Sequence, residues 1–348
     1  MSQTKEYSVD ELFESYSVTQ LETNDSSLLG QLSSMVVYKD LIFFLDRRQH
    51  KIIWFDKQGH YINSLDKIGK GPDEYLDICG FDINKNNGNI ETTDARTFRV
   101  YNQDCELIER KAICAKTGKF LHEFSRIDDD KMAFIDRAKE SSEGYIYSLS
   151  KEKILKVQED LYPGLEILNI DNQGFIQHTS ESDYVITYRG ALTLSIDEDG
   201  FHLCSDFDFG ESQLDYNNPQ VVASFLKLTN RKERIKWNRD LRKKYNQQFQ
   251  NHYENDLFII KGFYAKDKGK VGLIYNKKSK SYKLFSGFWG GVFLSQNMYL
   301  EKNILTLYLT NSQFERLPLE TLNSQVVSVL EKHNINDNPI VFRFKLKN

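Results

Sequence analysis

Apolar residues in this chain come in short bursts broken by polar turns, not in the spaced pairs that mark one face of a helix. The stretch "VVYKDLIFFLDRRQHKIIWFDKQGHYI", Val36 to Ile62, reads as an apolar strand, a Lys-Asp turn, a strand ending in Asp46, a turn with Arg47 and Arg48, a strand ending in Phe55 and Asp56, and a last strand. "FDINKNNGNIETTDARTFRVYNQDCELI", Phe81 to Ile108, repeats that order with an Asn-Gly turn, Asp94, Arg96 and Tyr101. Asp46 and Asp94 stand 48 positions apart, and Phe55 and Tyr101 stand 46 apart. One four-stranded antiparallel unit per ~45 residues is the period of a propeller blade.

Looser copies follow. Lys119 to Ser150 keeps the strand, the Asp turn and a strand closing on Asp136 and Arg137. Phe175 to Cys204 does so with Arg189, and its "DEDG" is a hairpin signal. Asn255 to Phe285 gives a fifth unit, and Phe288 to Thr310 supplies the inner half of a sixth. That sixth unit lacks outer strands, and two unpaired strand-like segments remain: "SVTQLET", Ser17 to Thr23, and "NPIVFRFKLK", Asn338 to Lys347. A ring must close, and sharing one blade between both ends leaves no exposed sheet edge. The expected fold is therefore all-β: one six-bladed β-propeller domain over residues 1–348, with four-stranded antiparallel blades and the last blade closed by N- and C-terminal strands. Two helical segments interrupt it. The first, at about 219–252, carries "RKERIKWNRDLRKK"; the second, at about 319–333, precedes the closing strand.

"IGKGPDEYLDI", Ile68 to Ile78, tests for a phosphate cradle. A dinucleotide fingerprint needs a third glycine and a helix, and a P-loop needs Gly-Lys followed by Ser or Thr. Here position 74 is Glu and a strand pattern follows. The stretch reads as the reversal between the first two blades, with Gly69 and Gly71 supplying positive φ and Pro72 fixing its own.

"GKGPDEY" followed by "FDI", together with "LETNDSSLLG", "FDKQGHYI", "DFDFG" and "NPIVFRFKLK", resembles the inter-blade signature of NHL-type and TolB-like propellers. It is more closely similar to the "6-bladed β-propeller" family abundant in Bacteroidetes. The resemblance spans essentially the whole chain and is looser in the middle. It implies a periplasmic or cell-envelope location, because such proteins carry a secretory or lipoprotein leader; it implies no defined activity. The opening "MSQTKEYSVDELFESY" is broken by charge and is not leader-like. The alternatives are a cytoplasmic protein and a chain numbered from beyond a removed leader.

Strand alternation sets which turns share a face. Returns from the outer strand to the next inner strand emerge with the turns between the second and third strands. Those turns hold Arg47, Arg48, Arg96, Arg137, Arg189, Lys266 and Lys268, on the face that also carries Glu74 and Tyr75. Converging cations would suit a carboxylate, sulfate or phosphate, and arginine's planar fork suits such groups well. The competing reading pairs these arginines with Asp46, Asp94 and Asp136, and makes Tyr75 packing. The basic insertion offers Arg231, Lys232, Arg234, Lys236 and Arg239 to an acidic partner, against the plainer reading of a solvated helix face.

Composition narrows the classes further. Hydrophobic residues make up 40%, charged residues 28%, with 19 Tyr and 23 Phe, which is a globular, β-leaning composition. A formal net charge of −4 gives no ground for a nucleic-acid partner. No run reaches the ~18 apolar residues of a membrane-spanning helix. Cys79, Cys105, Cys114 and Cys204 lack zinc-site spacing and read as small hydrophobes; a pairing of Cys105 with Cys114 stays open. Seven scattered histidines show no metal or hydrolase motif, so no cofactor, metal ligand or catalytic residue is assigned. A monomeric, non-catalytic binding propeller for an anionic glycan, peptide or partner protein is the expectation. The alternatives are a propeller hydrolase or lyase with an axial metal, and a scaffold in an envelope assembly.

Overall fold

The computed structural model describes residues 7, 9–136, 143–159, 175–180, 183–186, 193–204, 214, 218–266, 269–295 and 298–347. After a helical turn α1 (Val9–Leu12), strand β1 (Phe13–Gln20) opens the chain. Blade one is β2 (Leu32–Tyr38), β3 (Leu41–Asp46), β4 (Lys51–Asp56) and β5 (Tyr61–Leu65). Blade two is β6 (Gly80–Ile83), β7 (Ile90–Thr93), β8 (Phe98–Tyr101) and β9 (Leu107–Lys111), followed by α2 (Ile113–Thr117). Blade three is β10 (Glu123–Arg126), β11 (Lys131–Asp136), β12 (Glu143–Ser148) and β13 (Lys153–Gln158). Blade four is β14 (Phe175–Gln177), β15 (Tyr184–Ile186), β16 (Thr193–Asp197) and β17 (Gly200–Leu203).

Helices α3 (Pro219–Leu226) and α4 (Arg231–Lys244) lead to blade five: β18 (Gln247–Glu254), β19 (Phe258–Ala265), β20 (Gly269–Asn276) and β21 (Ser281–Phe285). Then come α5 (Gly287–Ser295), β22 (Met298–Glu301) and β23 (Ile304–Leu309). After α6 (Asn311–Phe314), a 3-10 turn (Leu319–Thr321) and α7 (Ser324–Leu330), the chain ends on β24 (Ile340–Leu346). Each blade is an antiparallel sheet in chain order, and the sixth runs β22-β23-β24-β1. Val18 pairs with Phe342 and Gln20 with Ile340, so the two ends of the chain share one sheet. The ring closes as its strand count required.

Burial explains the sequence pattern. Second and third strands are covered on both faces by neighbouring blades, so "LIFFLD" and "KIIWFD" are almost wholly buried. Outer strands face solvent; β9 and β13 carry an alternating or exposed pattern. The core lies between blades. Phe44 of blade one meets Tyr308 of blade six edge-on at 5.7 Å, and Phe98 of blade two meets Phe124 of blade three at 5.3 Å.

Several expectations shift. The first insertion ends at Lys244, since 247–252 belongs to the inner strand of blade five. The second helical segment is a 3-10 turn plus α7, with α6 ahead of it. "FWGGVFLS" is helix α5, not strand; its Trp289 lies edge-on to Phe342 and Phe344, which packs it over blade six. All four cysteines are free thiols, so Cys105 and Cys114 do not pair, and each is half-buried. Among the described residues, no helix is long and apolar enough to cross a membrane.

The glycine-rich reversal is a turn, but for a different reason. Neither Gly69 nor Gly71 has positive φ. A side chain at Gly69 would overlap the Glu74 carboxylate, which folds back to accept the Gly71 amide at 2.6 Å. Gly69 N–H donates to the Tyr75 carbonyl at 2.9 Å and Tyr75 N–H to the Lys67 carbonyl at 3.0 Å, zipping the reversal shut. What these glycines meet is the folded-back Glu74 side chain, and neither has a left-handed backbone.

Candidate functional site

The arginine turns come first. Arg47 Nη2 donates to the Cys79 carbonyl at 2.7 Å, and the Arg96 guanidinium sits 5.7 Å over the Phe120 ring. Both partners lie in the return that enters the next blade, so these side chains tie adjacent blades together. His50 makes a similar tie to Asp77 at 2.6 Å. Asp46 is buried and accepts amide hydrogens from Gly30, Gln31, Arg48 and Gln49, fastening its own turn to the incoming return. Asp94 pairs with Arg99 at 2.8 Å, and Asp136 accepts the Phe120 amide at 3.2 Å. Asp46 and Asp94 therefore cap turns, and among the described residues neither forms an ion pair with Arg47, Arg48 or Arg96.

Arg48, Arg96 and Lys266 are exposed. Arg137, Arg189 and Lys268 lie outside the described residues. Tyr75 is buried, donating its hydroxyl to the Leu65 carbonyl at 2.9 Å, and Glu74 is spent on its own turn. On α4, Lys232, Arg234, Lys236 and Arg239 are exposed, and the helix also carries Arg231. The helix rests on α3 through Trp237 and Phe225, whose rings lie 5.2 Å apart.

A denser constellation forms at the opposite end of the channel, where the first strand of each blade turns into the second. Blade two contributes Asp82 near the end of β6 and Lys85 just beyond it. Blade three contributes Ser125 and Arg126 at the end of β10. Blade four contributes His178 and Asp183 from the turn between β14 and β15. His178 Nδ1 lies 3.0 Å from Asp183 Oδ2 and 3.4 Å from Asp82 Oδ2. Ser125 Oγ donates to Asp183 Oδ2 at 2.6 Å, and Lys85 Nζ approaches Asp183 Oδ1 at 3.4 Å. Ser180, in the same turn, donates its amide and hydroxyl to the Leu300 carbonyl of blade six at 3.2 and 3.1 Å. Residues at the inner strands of blades two, three and four thus come together, and Ser180 ties the blade-four turn to blade six.

Burial sets the electrostatics. Asp82 is 3% exposed and Asp183 4%. Burial raises the Asp82 carboxyl to about 6, against the pull of His178. For His178, burial alone would lower the imidazole, but the two carboxylates outweigh it and raise it to about 9. Burial opposes ionisation of Asp183 too, yet His178 and Lys85 hold it well below the usual carboxylate range. Tyr299 of blade six is raised well above its ordinary value by burial, then by Asp82 and Asp183.

Beside this triad, Arg126 grips the fully buried Glu91 with Nε at 3.0 Å and Nη2 at 2.7 Å, and Asn84 donates to the same carboxylate at 3.0 Å. A cleft of 390 Å³ opens here, walled by Lys85, Ser125, Arg126, Asp183, Asp197 and Glu198 among others. A smaller one of 110 Å³ reaches Asp82 and shares Lys85 and Arg126. His178 stands one residue past β14. None of these residues was assigned to a site from the sequence. The available signal was Asp82, a charged residue in the inner strand "GFDI".

Comparison with solved structures finds the same architecture. A Bacteroides fragilis protein described by its sequence as exported superposes with a TM-score of 0.73 at 14% identity, covering 99% of this chain and 98% of that one. A member of the DUF4221 family from Bacteroides vulgatus gives 0.58 at 12% identity, covering 97% and 98%. At these identities the likeness is one of fold. No curated protein matches the chain. The model of the family described as "Domain of unknown function (DUF4934)" matches residues 1–345, and the chain belongs to that family.

Proposed function

We propose that this propeller is a non-catalytic binding module whose cleft, at the Asp183 end of the channel, takes a neutral, hydroxyl-rich ligand such as a short glycan. The observation that carries the reading is the cleft's wall of charges that already have partners. Lys85 faces Asp183, Arg126 faces Glu91, Lys131 lies 3.6 Å from Asp128 and 3.3 Å from Glu198, and His202 faces Asp197 at 2.9 Å. Such a wall presents fixed donors and acceptors together. It can exchange hydrogen bonds with hydroxyls without bringing a net charge out of water. An anion would meet the carboxylates of Asp128, Asp183, Asp197 and Glu198.

An anionic ligand at the arginine end is less favoured, because Arg47 and Arg96 are engaged with neighbouring returns. Titration calorimetry of the full chain tests the choice, using neutral oligosaccharides and their sulfated or uronate counterparts. Neutral sugars should bind, and the rim variant Asp197→Asn with Glu198→Gln should weaken them about tenfold, the cost of one or two hydrogen bonds. Tighter binding of the sulfated sugars, or a rim variant with no effect, rejects the reading.

A further inference from the structure

His178 carries one Nδ1 facing two buried carboxylates. At 3.0 Å from Asp183 and 3.4 Å from Asp82, a single proton is divided between them. Among the described residues, Asp82 otherwise accepts the amide of its own neighbour Ile83, at 2.8 Å. A carboxylate this deep is costly unless fully compensated. Its second oxygen has one long contact.

Separations of this size also fall in the range of ligand–ligand edges around a metal ion. Bonds of about 2.1 Å give ligand–ligand edges of about 3.0 Å in an octahedron and about 3.4 Å in a tetrahedron. One ligand atom from each of Asp82, His178 and Asp183 lies within 4.8 Å of the other two. We propose that these three side chains bind one divalent first-row transition cation, for which zinc is the probe, at the axial floor of the cleft. The imidazole argues against calcium or magnesium, which favour all-oxygen sites, and for a borderline cation.

The surroundings are those of a supported site. Ser125 Oγ fixes Asp183 at 2.6 Å, as outer hydrogen bonds fix metal-binding carboxylates. Lys85, with a side chain 38% exposed, lies 3.4 Å from the other oxygen of Asp183, Oδ1, and leaves Oδ2 to Ser125 and His178. On binding, the metal takes the Nδ1 lone pair and the imidazolium proton leaves to water. The triad then passes from one net negative charge to none. The inference goes beyond the glycan reading and does not depend on it.

The test uses chelator-treated full-length protein competing for zinc against a chromophoric chelator at neutral pH, with no sugar present. One tight ion per chain is expected. His178→Ala and Asp183→Asn should each weaken it about 100-fold or more, and Ser125→Ala, which keeps all three ligands, about 10-fold. The exposed pairs His50–Asp77, His60–Asp56 and His202–Asp197 are competing zinc sites. His50→Ala, His60→Ala and His202→Ala should leave the tight ion in place. Absence of a tight ion overturns the proposal and identifies the triad as an ion-paired brace. So does a tight ion that survives in Ser125→Ala and folded His178→Ala but is lost with His50→Ala, His60→Ala or His202→Ala. Either result leaves the sugar titration to be judged on its own.

Discussion

Glu254, at the end of β18, is held between His252 Nε2 at 2.9 Å and Lys277 Nζ at 2.6 Å. Burial would raise its carboxyl, but those two partners outweigh it and hold it down at about 2, against 4.5 for a free glutamate. A carboxyl depressed in the folded state contributes stability above its unfolded value, and that contribution fades as pH falls from about 4.5 toward 2. Glu254→Gln should therefore cost at most about 3 kcal/mol at pH 7, with the gap to the natural protein narrowing as the pH is lowered. Urea denaturation across that range measures it; a gap that stays constant with pH refutes the assignment. At this scale the sequence was a poor guide. Asp46 and Asp94 were recognised as recurring, yet their partners differ: Asp94 serves Thr97 and Arg99 within its own hairpin, while Asp46 also reaches back to the Gln31 amide ahead of β2.

Between elements, the most economical contact is Asn338, which precedes β24 and is 1% exposed. Its Nδ2 donates to the carbonyls of Glu22 at 2.7 Å and Ser27 at 2.9 Å, and its Oδ1 accepts the Leu29 amide at 2.8 Å. One side chain thus latches the C-terminal strand onto the loop that follows the N-terminal strand. Asn338→Ala removes three hydrogen bonds in a place water does not reach and should cost about 3 kcal/mol in chemical denaturation. A loss under about 1 kcal/mol would mean that strand pairing alone holds the closure. The strands themselves were legible from alternation and turn residues. Helix α5 was not, because "FWGGVFLS" is apolar on every side and its period carries no signal.

For the whole molecule, the closed ring is the condition on which every other feature depends. Removing residues 1–20 strips β1 from blade six, leaves β24 as an open edge and uncovers Phe344, which Phe13 covers at a centroid distance of 4.3 Å. The truncated chain should lose its cooperative thermal transition and self-associate, and a synthetic peptide spanning β1 should restore the transition; an unchanged melting curve would show that the ring does not need this strand. The sequence by itself determined the blade count, the strand order and the pairing of the two ends, since strand periodicity and the need to leave no open edge are local or topological facts. Only the tertiary structure decided where the chemistry sits. Asp82, Ser125 and His178 are separated by dozens of residues, and they meet because inner strands converge on an axis that no stretch of sequence contains.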